Sequence, residues 1–182
     1  IQFFDGVTTA EIQEILIRSA SDLIDLDHPN YQFVAARLLL FATRKQLYGR
    51  MHDTPILKDH VIKCIDKGVY DPEILNLYSD EEFDKLQSFI DHDRDFLFTY
   101  AGLRQVVDKY LVQDRSSGTL YETPQFMYLL IAATIFSKYP KETRLKYVKD
   151  YYDAISKHKI NIPTPIMAGV RTPLRQYASC VL

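Results

Sequence analysis

The chain has 182 residues, of which 47% are hydrophobic and 25% charged, so it has enough apolar material for a folded core. Its 22 Lys and Arg against 24 Asp and Glu give a net charge of −2, which argues against a protein that coats nucleic acid. Only 6 glycines disfavour a turn-dense all-β fold. No apolar run reaches the roughly 18 residues of a membrane helix. The two cysteines make no disulfide framework, and a cytoplasmic location is expected.

Helical spacing dominates the first quarter of the chain. Thr8 and Glu11 fit a capping box at the start of a first helix, which the turn His28-Pro29-Asn30 ends. A second helix is predicted from about Tyr31 to Tyr48, with Gly49 as its C-cap. Because this helix is apolar on most sides, we expect it to be central and buried.

Shorter patterns follow. One predicts a helix from about Ile56 to Lys67 that stops at Gly68, and Ser79 with Glu82 forms a second capping box at the start of another. These signals again predict helices.

The region from residue 109 to 157 combines a hairpin signal with two helices. Residues 110–112 face residues 119–121 across Ser116-Ser117-Gly118, which is typical of a β-hairpin. A helix starts at Thr123-Pro124, with Thr as N-cap and Pro at the first helical position, and runs to about Lys138. A last helix is predicted from about Lys141 to Lys157.

The sequence changes character after Asn161. The prolines in residues 162–169 predict that this segment is not ordinary helix, because each proline pushes the preceding residue into an extended conformation. The final five residues are typical of a buried strand that has just begun. This ending predicts a truncated chain or one part of a larger polypeptide.

The acidic run at residues 90–95 has the alternation of a metal-binding loop, but an EF-hand requires Gly at its sixth position and Glu at its twelfth. Counted from Asp91, those positions hold Phe96 and Gly102. The simpler interpretation is a solvated helix end in which Arg94 pairs with neighbouring carboxylates. The five histidines show no metal-ligand spacing, so no metal site is predicted, and no phosphate-binding glycine loop occurs.

The two cysteines differ in context. Cys64 lies among apolar residues of a predicted helix and is interpreted as a buried, inert thiol. Cys180 follows a segment rich in hydroxyls and prolines that includes Arg171 and Arg175. Rigid extended backbone with hydroxyls and Arg suits a phosphorylated ligand, and a thiol beside it could serve as a redox donor or nucleophile. A buried strand cysteine is the alternative.

The segment from Pro163 to Pro173, followed by Gln176 and Ser179-Cys180, resembles the substrate-site entry of the large (alpha) subunit of class I ribonucleotide reductase, closest to the aerobic bacterial and phage enzymes. Further similarity runs through the chain in order, at residues 31–37, 90–95, 109–112 and 121–122.

This resemblance implies a mainly α fold with three parts. Residues 1–49 would be the C-terminal half of an ATP-cone domain, and residues 50–160 the helical N-terminal domain with one short β-hairpin. Residues 161–182 would be the substrate loop and the first strand of a ten-stranded α/β barrel, which is incomplete here.

The resemblance also implies the chemistry. In the family, a thiyl radical removes the 3′-hydrogen of a ribonucleoside diphosphate, and a cysteine pair supplies two electrons as the 2′-hydroxyl leaves. Cys180 matches the first cysteine of that pair, and Thr164, Ser179 and Cys180 match substrate-binding positions. Thr9 and Lys45 match positions that bind the effector, ATP or dATP.

The same resemblance implies partners that the chain itself does not contain. They are the remainder of the large subunit, a second large subunit in a homodimer, the radical-generating small (beta) subunit, and thioredoxin or glutaredoxin. No cofactor is expected on this chain, because the metal-containing small subunit supplies the radical. No nucleic acid or membrane partner is expected. The isolated chain is expected to be inactive. The alternative is a non-catalytic helical interaction module derived from that subunit.

Overall fold

The computed structural model describes residues 4–174 and 177–178, and within these ranges the chain is mainly helical with one two-stranded antiparallel sheet. The elements in order are α1 (Thr9–Asp22), α2 (Tyr31–Tyr48), α3 (Leu57–Asp66), α4 (Glu73–Leu77), α5 (Asp80–Phe89), a 3-10 helix (His92–Leu97), α6 (Tyr100–Gln105), a π-helix (Val106–Tyr110), β1 (Gln113–Asp114), β2 (Thr119–Leu120), α7 (Pro124–Phe136), α8 (Lys141–Ser156) and α9 (Thr164–Gly169). In this part of the chain, no helix is both long and apolar enough to cross a bilayer.

Three helix ends lie where the local signals predict them. The Thr8 hydroxyl accepts the Glu11 N–H, and the Glu11 carboxylate accepts the Thr8 N–H, so each side chain satisfies an N–H that the first turn leaves free. Ser79 and Glu82 repeat this arrangement at the start of α5. Gly49 ends α2 with φ 76°, a left-handed conformation that costs glycine little. The predicted starts of α1 and α5 and the predicted end of α2 are confirmed, whereas α1 ends at Asp22, before the predicted turn at residues 28–30.

The central helix of the core is α7 rather than α2. Every residue from Phe126 to Ala133 is at most 5% exposed. In α2, by contrast, Val34 is 42% exposed and Phe41 is 38% exposed. The expectation that α2 is central is therefore wrong. The physical reason is that α7 carries no charged residue, whereas α2 carries several whose ionic groups must reach water or a partner.

The predicted hairpin is present but short. Gln113 pairs with Leu120 and Asp114 with Thr119. The Asp114 carboxylate accepts hydrogen bonds from the hydroxyls of Ser116 and Ser117, which stabilises the turn. Tyr110, which the hairpin prediction placed in the first strand, instead ends the π-helix.

The prediction that residues 162–169 are not ordinary helix is wrong. Thr164–Gly169 forms α9, with Pro163 as its N-cap and Pro165 in its first turn. The first-turn N–H groups have no partner inside a helix, so a proline there removes no hydrogen bond. The two prolines therefore start this helix instead of preventing it.

The interpretation of residues 90–95 as a solvated helix end is wrong for Asp95. Arg94 does pair with Asp91, at 3.2 Å, as predicted. Asp95 is only 1% exposed, and it accepts hydrogen bonds from Arg44 Nη2 at 2.8 Å and from Gln125 Nε2 at 2.9 Å. Burial raises the pKa of Asp95, and the hydrogen bond from Arg44 opposes this rise. The Arg44–Asp95 pair joins α2 to the 3-10 helix, and Gln125 connects Asp95 to the start of α7.

The interpretation of Cys64 is confirmed. Its side chain is 2% exposed on α3, and burial raises the pKa of the thiol to about 12. The neighbouring His60 stacks on Phe126 at 4.4 Å between ring centroids, and burial lowers the pKa of His60 to about 4. Both groups are therefore uncharged near neutral pH.

We predict that Asp95→Ala destabilises the fold strongly, because it leaves the Arg44 guanidinium buried without a counter-charge. Loss of one partner of a buried ion pair costs about 3–5 kcal/mol. The matched control is Asp93→Ala, which removes an exposed carboxylate from the same turn and should change stability by less than about 0.5 kcal/mol. Urea unfolding of the three proteins measures the difference. Equal midpoints for the two variants would contradict the prediction.

Candidate functional site

A buried ion pair holds the segment that carries Thr164. Arg171 is 4% exposed and Glu122 is 0% exposed. The Arg171 Nε lies 2.8 Å from one carboxylate oxygen of Glu122 and 3.0 Å from the other, and its Nη2 also donates to this carboxylate. Two groups on one guanidinium thus bind one carboxylate, the geometry that makes such pairs strong.

The remaining polar atoms of the pair are also satisfied. Glu122 accepts the Tyr70 hydroxyl at 2.6 Å and the Val112 N–H at 2.7 Å. Arg171 donates to the carbonyl of Tyr110 at 2.9 Å and to that of Met167 at 2.5 Å. The pair therefore fastens α9 to the π-helix and the start of the hairpin.

This geometry corrects the sequence interpretation of Arg171. Its guanidinium is committed to Glu122 and to backbone carbonyls, so it does not lie open to a phosphorylated ligand. Sequence reasoning also missed Glu122 as the partner. The only available signal was a single carboxylate between the hairpin and an uncharged helix, where an ion has to be paired. Arg175 lies outside the described residues.

Thr164 borders a cleft of about 460 Å³ that is formed by α6, the π-helix, α9 and the segment that follows α8. Its hydroxyl lies 3.3 Å from the hydroxyl of Tyr110, and Gln105 Nε2 donates to the same Tyr110 hydroxyl at 3.3 Å. His158 also borders this cleft, with φ 53°, and burial lowers the pKa of its imidazole.

The lining of this cleft includes hydroxyl, amide and imidazole groups but neither Lys nor Arg among the described residues. The cleft can therefore orient a ligand through hydrogen bonds. It does not supply positive side-chain charge to neutralise a phosphate. The described residues that line this cleft suit the orientation of a polar ligand by hydrogen bonds more than the binding of an anion by positive charge.

Thr9 and Lys45 border a second cleft, of about 380 Å³, between α1 and α2. Gln13, on the same face of α1, donates from its side-chain amide to the carbonyl of Leu38 at 3.1 Å and fixes the two helices together. The structure thus brings together the two residues that the resemblance selects for effector binding. One ammonium group and one hydroxyl fit a phosphate, while Glu14 adds a negative charge to the lining.

Ser179 and Cys180 lie outside the described residues.

A third cleft, of about 720 Å³, was not predicted. Cys64 and His60 border it together with Lys63 and Lys67 of α3. Within residues 4–174 and 177–178, no group of three or more His, Cys, Asp or Glu side chains could hold a metal ion.

Comparison with known proteins places this geometry in a family. Residues 96–175 match the family described as ribonucleotide reductase, all-alpha domain. The chain is 54% identical over 182 residues to ribonucleoside-diphosphate reductase 1 subunit alpha of Escherichia coli (strain K12), and 55% identical to the alpha subunit of Haemophilus influenzae. Each match covers 100% of this chain and 24% of the relative.

The alpha subunit of enterobacteria phage T4 is 48% identical over 178 residues, which are 98% of this chain and 23% of the relative. The chain therefore spans about a quarter of the length of the curated relatives that it matches, in their N-terminal part. The buried pair Arg171–Glu122, α7, α8 and α9 all lie within the matched residues 96–175. The chain belongs to the ribonucleotide reductase family and contains its all-alpha domain.

Proposed function

We propose that this chain is part of the large subunit of a class I ribonucleoside-diphosphate reductase, and that the complete subunit reduces ribonucleoside diphosphates to deoxyribonucleoside diphosphates. The observation that carries the proposal is the similarity of the whole chain, at 48–55% identity, to proteins named as alpha subunits of that enzyme. The cleft beside Thr164 supports it, because a polar cleft held by a buried ion pair suits a substrate site.

In this proposal Cys180 is one of two cysteines that supply the electrons. A thiyl radical takes the 3′-hydrogen of the ribose, and the 2′-hydroxyl then leaves as water after it has gained a proton from a thiol. The two thiols lose two electrons and two hydrogens and become a disulfide. One hydrogen leaves with the 2′-hydroxyl as water, the other goes to C2′, which becomes a CH₂ group, and the 3′-hydrogen returns to C3′ and regenerates the thiyl radical. A thiol suits this role because it both donates a proton and closes onto a second sulfur.

Thr164, Ser179 and Cys180 contact the substrate in this proposal. The fragment does not turn over by itself, because the chemistry requires a radical-bearing thiol in addition to the donor pair and the chain has two cysteines. Cys64 is no substitute, because its thiol is buried on α3 and does not line the cleft that Thr164 borders.

The wider assembly follows from the same proposal. Residues 161–182 continue into an α/β barrel that completes the active site, and residues 1–49 belong to an ATP-cone. The large subunit pairs with a second copy and receives the radical from a metal-containing small subunit. Thioredoxin or glutaredoxin reduces the disulfide, and the enzyme works in the cytoplasm.

Effector binding is the second part of the proposal. Thr9 and Lys45 face one cleft between α1 and α2, and there they would bind the phosphates of ATP or dATP. Ammonium-to-phosphate hydrogen bonds are the contacts that Lys45 would supply.

We predict that Cys180→Ser in the complete alpha subunit abolishes thioredoxin-supported reduction of CDP, because serine cannot form the disulfide. The measurement is deoxycytidine diphosphate formed in the presence of the small subunit and thioredoxin. The control Cys64→Ala removes the buried thiol and should keep near wild-type turnover. Retained turnover in Cys180→Ser would refute the donor role.

We predict that Lys45→Ala weakens the response to ATP and dATP. Loss of one hydrogen bond to a charged group costs about 1.5–3 kcal/mol, which corresponds to roughly a tenfold or greater rise in the effector concentration for half-maximal response. Lys146→Ala, an exposed lysine of α8, is the control. Isothermal titration of the complete subunit with dATP gives the affinities. Equal affinities for wild type and Lys45→Ala would exclude a phosphate contact by Lys45.

A further inference from the structure

We propose that Tyr110 is a positioning residue, which orients the Thr164 hydroxyl toward the substrate. This inference rests on the proposed function, because it takes Thr164 as a substrate contact. Tyr110 and Thr164 border the same cleft, and their hydroxyl oxygens are 3.3 Å apart.

The donor inventory fixes Gln105 as the donor to Tyr110 and allows Tyr110 to act as the donor to Thr164. The side-chain amide nitrogen of Gln105 has only protons to offer, so it donates to the Tyr110 oxygen at 3.3 Å. The single hydroxyl proton of Tyr110 is then available for Thr164, whose oxygen lies within hydrogen-bond distance. Either hydroxyl could donate across this 3.3 Å contact; in the proposal Thr164 accepts from Tyr110, and its own proton points away from Tyr110.

The consequence concerns what Thr164 can bind. With its oxygen occupied by Tyr110, the Thr164 hydroxyl is set as a donor. It then suits an acceptor on the substrate, such as a phosphate or ribose oxygen of a nucleoside diphosphate. A free threonine hydroxyl would rotate among its staggered positions and lose part of this binding energy to ordering.

The backbone of Tyr110 is held in place by the buried ion pair. Its carbonyl accepts the Arg171 Nη2 at 2.9 Å, so its backbone is tied to the buried pair with Glu122. It also ends the π-helix Val106–Tyr110, and such wide turns often occur at functional sites. The side chain of Tyr110 is half-buried, with its hydroxyl at the cleft. The phenol hydroxyl of Tyr110 is therefore held at a fixed position beside the Thr164 hydroxyl.

The test uses the complete alpha subunit with its small subunit and thioredoxin, and CDP as substrate. The variants are Tyr110→Phe, Thr164→Val and the double variant. Tyr147→Phe is the matched control, since it removes a phenol hydroxyl from an exposed tyrosine of α8. Steady-state kinetics give KM and kcat separately for each protein.

The proposal predicts that Tyr110→Phe raises KM for CDP by about threefold to tenfold, the range that one neutral hydrogen bond supplies, and leaves kcat nearly unchanged. Thr164→Val should raise KM at least as much. The double variant should be no worse than Thr164→Val, because both changes remove the same contact. Tyr147→Phe should match wild type.

Two results would overturn the proposal in distinguishable ways. If Thr164→Val raises KM but Tyr110→Phe does not, or if the two effects simply add, then Thr164 contacts the substrate without help from Tyr110, and the proposed function stands. If neither variant changes KM, then the substrate contact at Thr164 fails as well, and that part of the proposed function fails with it.

Discussion

The buried ion pair between Arg171 and Glu122 is the interaction on which the arrangement of the candidate substrate site depends. Taking both charges out of water costs several kcal/mol per ion, so the pair is tolerated only because its hydrogen bonds are satisfied. Tyr70, the Val112 N–H and two backbone carbonyls provide those partners. As a result, one carboxylate connects the turn after α3, the hairpin and the segment of α9.

A second buried pair plays a corresponding role at the same, amino-terminal end of α7. Asp95 binds Arg44 of α2 and Gln125 of α7, and the Gln125 carbonyl oxygen accepts the Tyr152 hydroxyl at 2.7 Å. The contact between Arg44 and Asp95 crosses residue 49, where the sequence predicts a domain boundary. That boundary stays a prediction. The start of the uncharged α7 thus lies between two polar networks, one toward α2 and the candidate effector cleft and one toward the candidate substrate segment.

Local signals predicted the helix ends because capping is a local interaction. Thr8 with Glu11, and Ser79 with Glu82, satisfy backbone groups three residues away, so the sequence alone contains both partners. The buried pairs could not be predicted in the same way. Glu122 and Arg171 are 49 residues apart, and the uncharged helix after Glu122 indicates that this carboxylate needs a partner without indicating which residue it is.

The wrong predictions have two origins, a long-range pairing for Asp95 and a local rule for the prolines. The sequence placed Asp95 in water because its neighbours Asp91 and Asp93 are acidic, yet one turn of helix directs Asp95 to Arg44. It excluded a helix at residues 164–169 because prolines are present, although a first-turn proline fits a helix. The candidate site residues Thr164, Thr9 and Lys45 came from the family resemblance. The clefts that they border became visible only in three dimensions.

Hydrogen exchange of the complete subunit with Glu122→Gln tests the central claim most directly. The substitution keeps the size of the side chain but leaves the Arg171 guanidinium without its counter-charge. The amides of Met167, Val170 and Thr172, which are hydrogen-bonded within this segment, should then exchange at least about a hundredfold faster, while the buried part of α8 keeps its protection. Unchanged protection of these three amides would contradict the claim that the ion pair holds the segment in place.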